Sequence, residues 1–202
     1  MPYAVVRIYT DSGPLVGKIT ESEAEVRDIM NEVPGFRTYS FLDTGTGAVS
    51  VTVCESKAGT DDSIQRAAEW IKANLPDAKI APPQIHEGEM LWRFQGDGFD
   101  TAARPHVVLR VFNAPPPPGI RDKQAEIREL MTAVDGFRAY TVIDTEAGGV
   151  TVIAAKDKAA TDEIAARMRA FVTEQFPGFP GRNPEVIEAD GVFRFEAAGA
   201  PA

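Results

Sequence analysis

The chain repeats itself, and no other feature of its 202 residues constrains the fold as strongly. Val33-Pro34-Gly35-Phe36-Arg37-Thr38-Tyr39 returns as Val134-Asp135-Gly136-Phe137-Arg138-Ala139-Tyr140, an offset of 101. The same offset relates Asp43-Thr44 to Asp144-Thr145, Thr60-Asp61 to Thr161-Asp162, Arg66 to Arg167, and Arg93-Phe94 to Arg194-Phe195. The first apolar runs, Val6-Arg7-Ile8-Tyr9 and Leu109-Arg110-Val111-Phe112, align at 103 instead, so a small insertion lies between that run and the helix after it. The chain therefore divides into repeats at 1–96 and 106–202, joined by a linker at 97–105 that is rich in turn formers.

Each repeat carries the same series of elements. A β-branched run at Ala4 to Tyr9 predicts a first strand, and Thr20-Glu21-Ser22-Glu23 offers a capping box for the helix after it. Val26, Ile29, Met30 and Val33 recur at helical spacing, as do Ile127, Leu130, Met131 and Val134. Gly35 and Gly136 stand where a left-handed cap would end that helix. Phe36 to Asp43 and Ala48 to Cys54 flank Thr44-Gly45-Thr46-Gly47, which predicts a hairpin. A second helix is expected from Thr60 or Asp61, with Ile64, Ala67, Ala68, Ile71 and Leu75 facing the core. A last strand is expected at Met90 to Phe94, answered by Val192 to Phe195. The order is β-α-β-β-α-β, an α+β ferredoxin-like unit. Two helices cover one face of such a sheet. The other face of the first strand keeps large groups, so the two sheets are expected to pack face to face, with Arg7 and Arg110 in or near the join.

The segments Val33-Pro34-Gly35-Phe36-Arg37-x-Tyr39, Asp43-Thr44-x-x-Gly47, Lys57-Ala58-Gly59-Thr60-Asp61 and Arg66-Ala67-Ala68-Glu69-Trp70 resemble the dimeric α/β-barrel superfamily, nearest to its antibiotic-biosynthesis-monooxygenase-like members. The resemblance covers most of each repeat. It implies a domain that normally pairs through its sheets, here fused in tandem as an intramolecular dimeric α/β barrel. It further implies a cavity between sheet and helices in which related proteins oxidise aromatic or quinone-like compounds without metal or flavin, or degrade haem. The Asn, Trp and His set of the haem-degrading relatives has no counterpart here, because strand one carries Arg7.

Charge and composition exclude other classes. With 21 Lys+Arg against 30 Asp+Glu, the net charge of −9 gives no electrostatic basis for binding nucleic acid or an anionic membrane surface. No apolar run reaches the length of a membrane span, and the expected location is cytoplasmic. Cys54 stands alone, so no intrachain disulfide forms. Only His86 and His106 supply imidazoles, no metal-ligand spacing occurs, and no metal or cofactor is expected. Pro115 to Pro118 read as a stiff loop.

Comparing the repeats directs attention to the first. Tyr9, Cys54, Trp70, His86 and Trp92 align with Phe112, Ala155, Phe171, Ile187 and Phe193, so polar atoms present in the first repeat are absent from the second. The expectation is one cavity in the first repeat. His86 and Tyr39 are the catalytic candidates there, while Arg37, Trp70 and Trp92 bind a small aromatic or quinone-like substrate in a cofactor-independent oxygenation. The competing reading is a non-catalytic ligand-binding or structural protein whose repeats bury each other, with further self-association left open.

Overall fold

In the computed structural model, which describes residues 1–96, 104–179 and 183–197, eight strands form an antiparallel sheet accompanied by five helices among the described residues. Contacts group the chain into two compact units. The first is Met1–Glu89 with Ala189–Ala202, and the second is Met90–Glu188. The expected linker falls mostly outside the described residues, and the units differ from the sequence repeats in one respect, which their last strands explain.

The first unit opens with β1 (Tyr3–Tyr9), followed by α1 (Gly13–Glu21) and α2 (Glu23–Asn31). The hairpin of β2 (Phe36–Asp43) and β3 (Ala48–Cys54) matches the expected bounds, and α3 (Lys57–Asn74) leads to β4 (Gln84–Gln95). β1 lies between β3 and the first half of β4, in unbroken register from Tyr3↔Glu89 to Ile8↔Gln84. Gly88 pairs with Ala4 inside that register, so it is not a bulge. β2 pairs with β3 and, on its other edge, with the last half of β8 (Glu185–Glu196), from Thr38↔Glu196 to Asp43↔Asp190.

The second unit repeats the plan with β5 (His106–Phe112), α4 (Gln124–Thr132), β6 (Phe137–Thr145), β7 (Gly148–Ala155) and α5 (Lys158–Gln175). Its strand order is β8-β5-β7-β6-β4. β4 and β8 each run for 12 residues, about twice the apolar segment that announces them. Their leading halves, Gln84-Ile85-His86-Glu87-Gly88-Glu89 and Glu185-Val186-Ile187-Glu188, are mixed in polarity, which hides them from a search for apolar runs. Each of these strands serves one unit with its first half and the other with its second.

Local chemistry explains the turns. Thr44 N–H donates to the Gly47 carbonyl at 3.0 Å, Gly47 N–H to Thr44 Oγ1 at 2.9 Å, and Gly45 N–H to Asp43 Oδ1 at 2.7 Å, which closes the hairpin. Gly35 and Gly136 adopt φ of 66° and 82°, the left-handed conformation expected of them. The expected capping box does not form. Ser22 separates α1 from α2 without a side-chain cap, and Thr20 Oγ1 instead donates to the Val16 carbonyl at 2.7 Å. The helix expected at Thr60 starts a turn earlier, at Lys57, because Ser56 and Asp157 occupy the N-cap positions of α3 and α5 and Asp157 accepts from Ala160 N–H. The buried face of α3 is Gly59, Thr60, Ser63 and Trp70, with Ile71 and Leu75 alongside, whereas Ala68 is exposed.

Each unit has its own core. Leu15, Ile19, Met30, Tyr39, Phe41 and Trp70 belong to the first, and Trp92, Ile127, Met131, Tyr140 and Ile153 to the second. No helix among the described residues is long and apolar enough to cross a membrane.

Candidate functional site

Alternation along β1 sends Arg7 and Tyr9 toward the helices, not toward the helix-free face of the sheet, where the expected join would have put Arg7. Arg7 is 1% exposed. Its Nη1 donates to Ser50 Oγ at 3.3 Å and Thr52 Oγ1 at 3.0 Å on β3, and its Nη2 to Ser63 Oγ at 2.5 Å on α3. Ser63 Oγ in turn donates to the Thr60 carbonyl at 2.7 Å. A guanidinium is tolerated at this depth because hydroxyl oxygens replace part of its hydration. Burial holds Tyr39 above the usual phenol range, with the nearby Arg7 charge acting in the opposite direction and Ser50 bonding its hydroxyl. Burial likewise pushes the Cys54 thiol up to about 11, so it stays protonated at neutral pH.

The residues expected to line a first-repeat site are thus occupied otherwise. Tyr39 stacks on Phe193 and Phe195 at 6.1 and 5.3 Å. Trp70 is buried in the same core. Arg37 sits at a register shift in β2 and faces Glu55 at 3.8 Å. His86 is half-buried on β4 opposite Val6. Trp92 is the plainest departure, since it belongs to the core of the second unit, stacked on Phe94 at 6.1 Å.

A cavity of about 910 Å³ opens in the second unit, not in the first repeat where one was expected. Its walls are Trp92, Ile120, Ile127, Val142, Val150 and Ile153, and Arg110, Tyr140 and Thr151 bring polar groups into it. Differences between the repeats account for the space. The first-repeat counterparts of Phe112, Tyr140, Val142 and Gly149 are Tyr9, Tyr39, Phe41 and Ala48, and these pack with Leu15 and Ile19 of α1 into a filled core. In the second repeat the prolines at 115–118 lack the amide donors of a helix, and only a short 3-10 turn, Ile120–Lys123, stands where α1 would be. Ile120 alone is buried from that turn.

The same comparison applies to Arg110, the partner of Arg7. Ser50 becomes Thr151, but Thr52 becomes Ile153 and Ser63 becomes Ile164, so two of the three hydroxyls are gone. Among the described residues Arg110 makes no hydrogen bond or ion pair, and neither does the exposed Arg169 at the mouth of the cavity. Burial lowers the Arg110 pKa from its ordinary value, with the Tyr140 side chain pulling the other way. The Tyr140 hydroxyl is also without a hydrogen-bond partner among the described residues, and burial holds its pKa above the usual phenol range. The carboxylates at the rim are already engaged. Lys158 Nζ reaches Glu188 at 2.5 Å and Asp162 at 3.4 Å, and His106 Nε2 lies 3.8 Å from Glu188. Lys57 holds Asp61 and Glu87 in the same way in the first unit, which identifies this triad as a structural fixture of both repeats.

No protein-family model and no curated protein matches the chain. Solved structures do. An anthrone oxidase-like protein matches over 100% of this chain and 95% of its own, at 16% identity and a TM-score of 0.58. A candidate monooxygenase from Fusobacterium nucleatum subsp. nucleatum matches over 99% and 95%, at 13% identity and a TM-score of 0.66. Chlorite dismutase from Candidatus Nitrospira defluvii, in complex with imidazole, matches over 94% and 90%, at 7% identity and a TM-score of 0.59. The chain shares the fold of these proteins. At these identities the likeness establishes architecture, and chemistry has to come from the site.

Haem is a group that this fold implies in some relatives, and the cavity residues do not fit it. Among the described residues the lining offers no histidine or cysteine to stand as proximal ligand to a haem iron.

Proposed function

We propose that the chain is a small-molecule-binding protein of the monooxygenase-like kind, built from two ferredoxin-like repeats arranged as an intramolecular dimeric α/β barrel, which acts on an aromatic or quinone-like compound in the cavity of the second unit. The observation that carries this reading is the cavity itself, an apolar space at the upper end of the usual ligand-site range that encloses a phenol and a guanidinium with no other partners. The names of the neighbours, an anthrone oxidase-like protein and a candidate monooxygenase, agree with it. The buried free Cys54 suits a reducing, cytoplasmic setting.

Oxygenation without a cofactor requires the substrate to become an electron-rich anion that itself reduces dioxygen. One oxygen atom enters a methylene carbon as a carbonyl, and the other leaves as water with the two hydrogens of that carbon. Arg110 stabilises the anionic form by charge. Tyr140, kept protonated by its buried setting, donates to the developing oxyanion. The apolar walls exclude water and hold the rings flat.

Oxygen consumption with a panel of anthrone-type and hydroquinone substrates tests this. Uptake that depends on the protein and is reduced at least tenfold in Tyr140→Phe supports it. Tight aromatic binding with no uptake would instead select the non-catalytic reading, which the lack of an imidazole in the lining favours.

A further inference from the structure

We infer that the cavity selects its ligand by charge as well as shape, taking a planar aromatic compound that bears one anionic oxygen group, held against Arg110 with Arg169 at the mouth. This rests on the reading of the cavity as an aromatic site and adds the substrate class.

The two repeats make the case by difference. The first buries an arginine at the same strand position and surrounds it with three hydroxyl oxygens contributed by β3 and α3. The second keeps the arginine, replaces two of those hydroxyls with the buried side chains Ile153 and Ile164, and opens a cavity in front of it. A guanidinium has five donors and loses hydration when it is half-buried among isoleucines, so something must accept from it when the cavity is filled. The nearby acids Asp162 and Glu188 act on Arg110 by charge, but among the described residues neither makes a hydrogen bond or ion pair with it, and Lys158 holds both. Arg110 and Arg169 are left as the cations of the lining with no ion-pair partner among the described residues. A carboxylate fits the fork of Arg110 through paired hydrogen bonds, and a phenolate or enolate oxygen through a single one. An uncharged ring system of equal size would fill the same apolar space and leave the guanidinium unsatisfied, which is where discrimination arises.

The two tryptophans allow a direct test, because Trp70 belongs to the core of the first unit and Trp92 lines the cavity of the second. In the Trp70→Phe variant, Trp92 fluorescence would be titrated with anthraquinone-2-carboxylate and, separately, with its neutral carboxamide. The carboxylate is expected to bind at least tenfold more tightly, with an affinity that falls as salt rises. Arg110→Met should remove that preference while still binding the carboxamide, Arg110→Lys should keep part of it, and Arg169→Met should reduce it about twofold. Equal binding of the two compounds by the parent protein, or a preference that survives Arg110→Met, would overturn the charge selection and leave the aromatic site standing. Failure of both compounds to bind would overturn the aromatic site together with it. Should Arg110→Met not fold, the Arg110→Lys variant and the salt dependence decide the question.

Discussion

One strand position, two fates: Arg7 is locked inside a hydroxyl cage, and Arg110 faces open space. The backbone around them is the same, with Arg7 paired to Ser50 across β1 and β3, and Arg110 paired to Thr151 across β5 and β7. The difference lies in what stands above the sheet. A helix with Leu15 and Ile19 fills the first unit, and a proline-rich loop leaves the second open. A polar group alone therefore does not mark a site. Polar groups that satisfy one another make a core, and a polar group stripped of its partners beside an unfilled volume makes a place for a ligand.

The largest expected contrast is in stability. Arg7→Ala leaves three buried hydroxyls without their donor and a void behind them, and should cost about 3 kcal/mol in urea denaturation. Arg110→Ala removes no protein hydrogen bond and should cost about 1 kcal/mol or less. Equal losses would break the comparison.

Next comes transplantation of the cage. The triple change Thr151→Ser, Ile153→Thr and Ile164→Ser gives Arg110 the surroundings of Arg7. It should draw the guanidinium back from the cavity and weaken binding of an aromatic carboxylate about tenfold, read by titration calorimetry. Unchanged affinity would show that the hydroxyls do not control where Arg110 is spent.

A third contrast uses the tryptophans as reporters. An aromatic ligand should quench emission in Trp70→Phe and leave it nearly unchanged in Trp92→Phe, and the opposite result would move the site to the first unit. Cys54 offers a fourth. Because burial raises its thiol to about 11 from 9.0, labelling by a thiol reagent at pH 8.5 should run on the order of a hundredfold slower in the native protein than in urea. The sign for stability follows. Well below pH 9 the thiol is protonated in both states, and from about pH 9 to 11 the unfolded chain ionises far more than the native one, so the contribution of Cys54 to stability is lost as pH rises through that window. The smallest effect belongs to the exposed triads. Lys57→Met and Lys158→Met should shift the denaturation midpoint barely and to the same extent.

Much of the architecture was legible in the residues. The bounds of the hairpin and the glycine caps follow from periodicity and turn chemistry, and the fold agrees with them, whereas α1 is a helix that the expected order of elements did not contain. The sharing of β4 and β8 was not legible, because a strand that begins with Gln84, His86, Glu87 and Gly88 lacks an apolar signature. The position of the cavity was hidden for a different reason. Comparing Tyr9 with Phe112 or Trp70 with Phe171 counts polar atoms, whereas a cavity is made of missing volume. The pairs informative for volume were Phe41 with Val142 and Ala48 with Gly149, and those informative for the arginine were Thr52 with Ile153 and Ser63 with Ile164. The meaning of the latter depends on knowing that β1 points its arginine at α3, and only the fold supplies that.

The shared strands also impose an order on biosynthesis. The second unit is a continuous stretch, Met90–Glu188, whereas the first waits for the pairing of Thr38 with Glu196. A ribosome reading this message finishes the half that holds the cavity before the half that began first, and the earliest-made strands stay incomplete until Glu196 emerges. A nascent chain stalled within β8 would on this account present the edge of β2 to solvent, the form in which the protein is most exposed to aggregation.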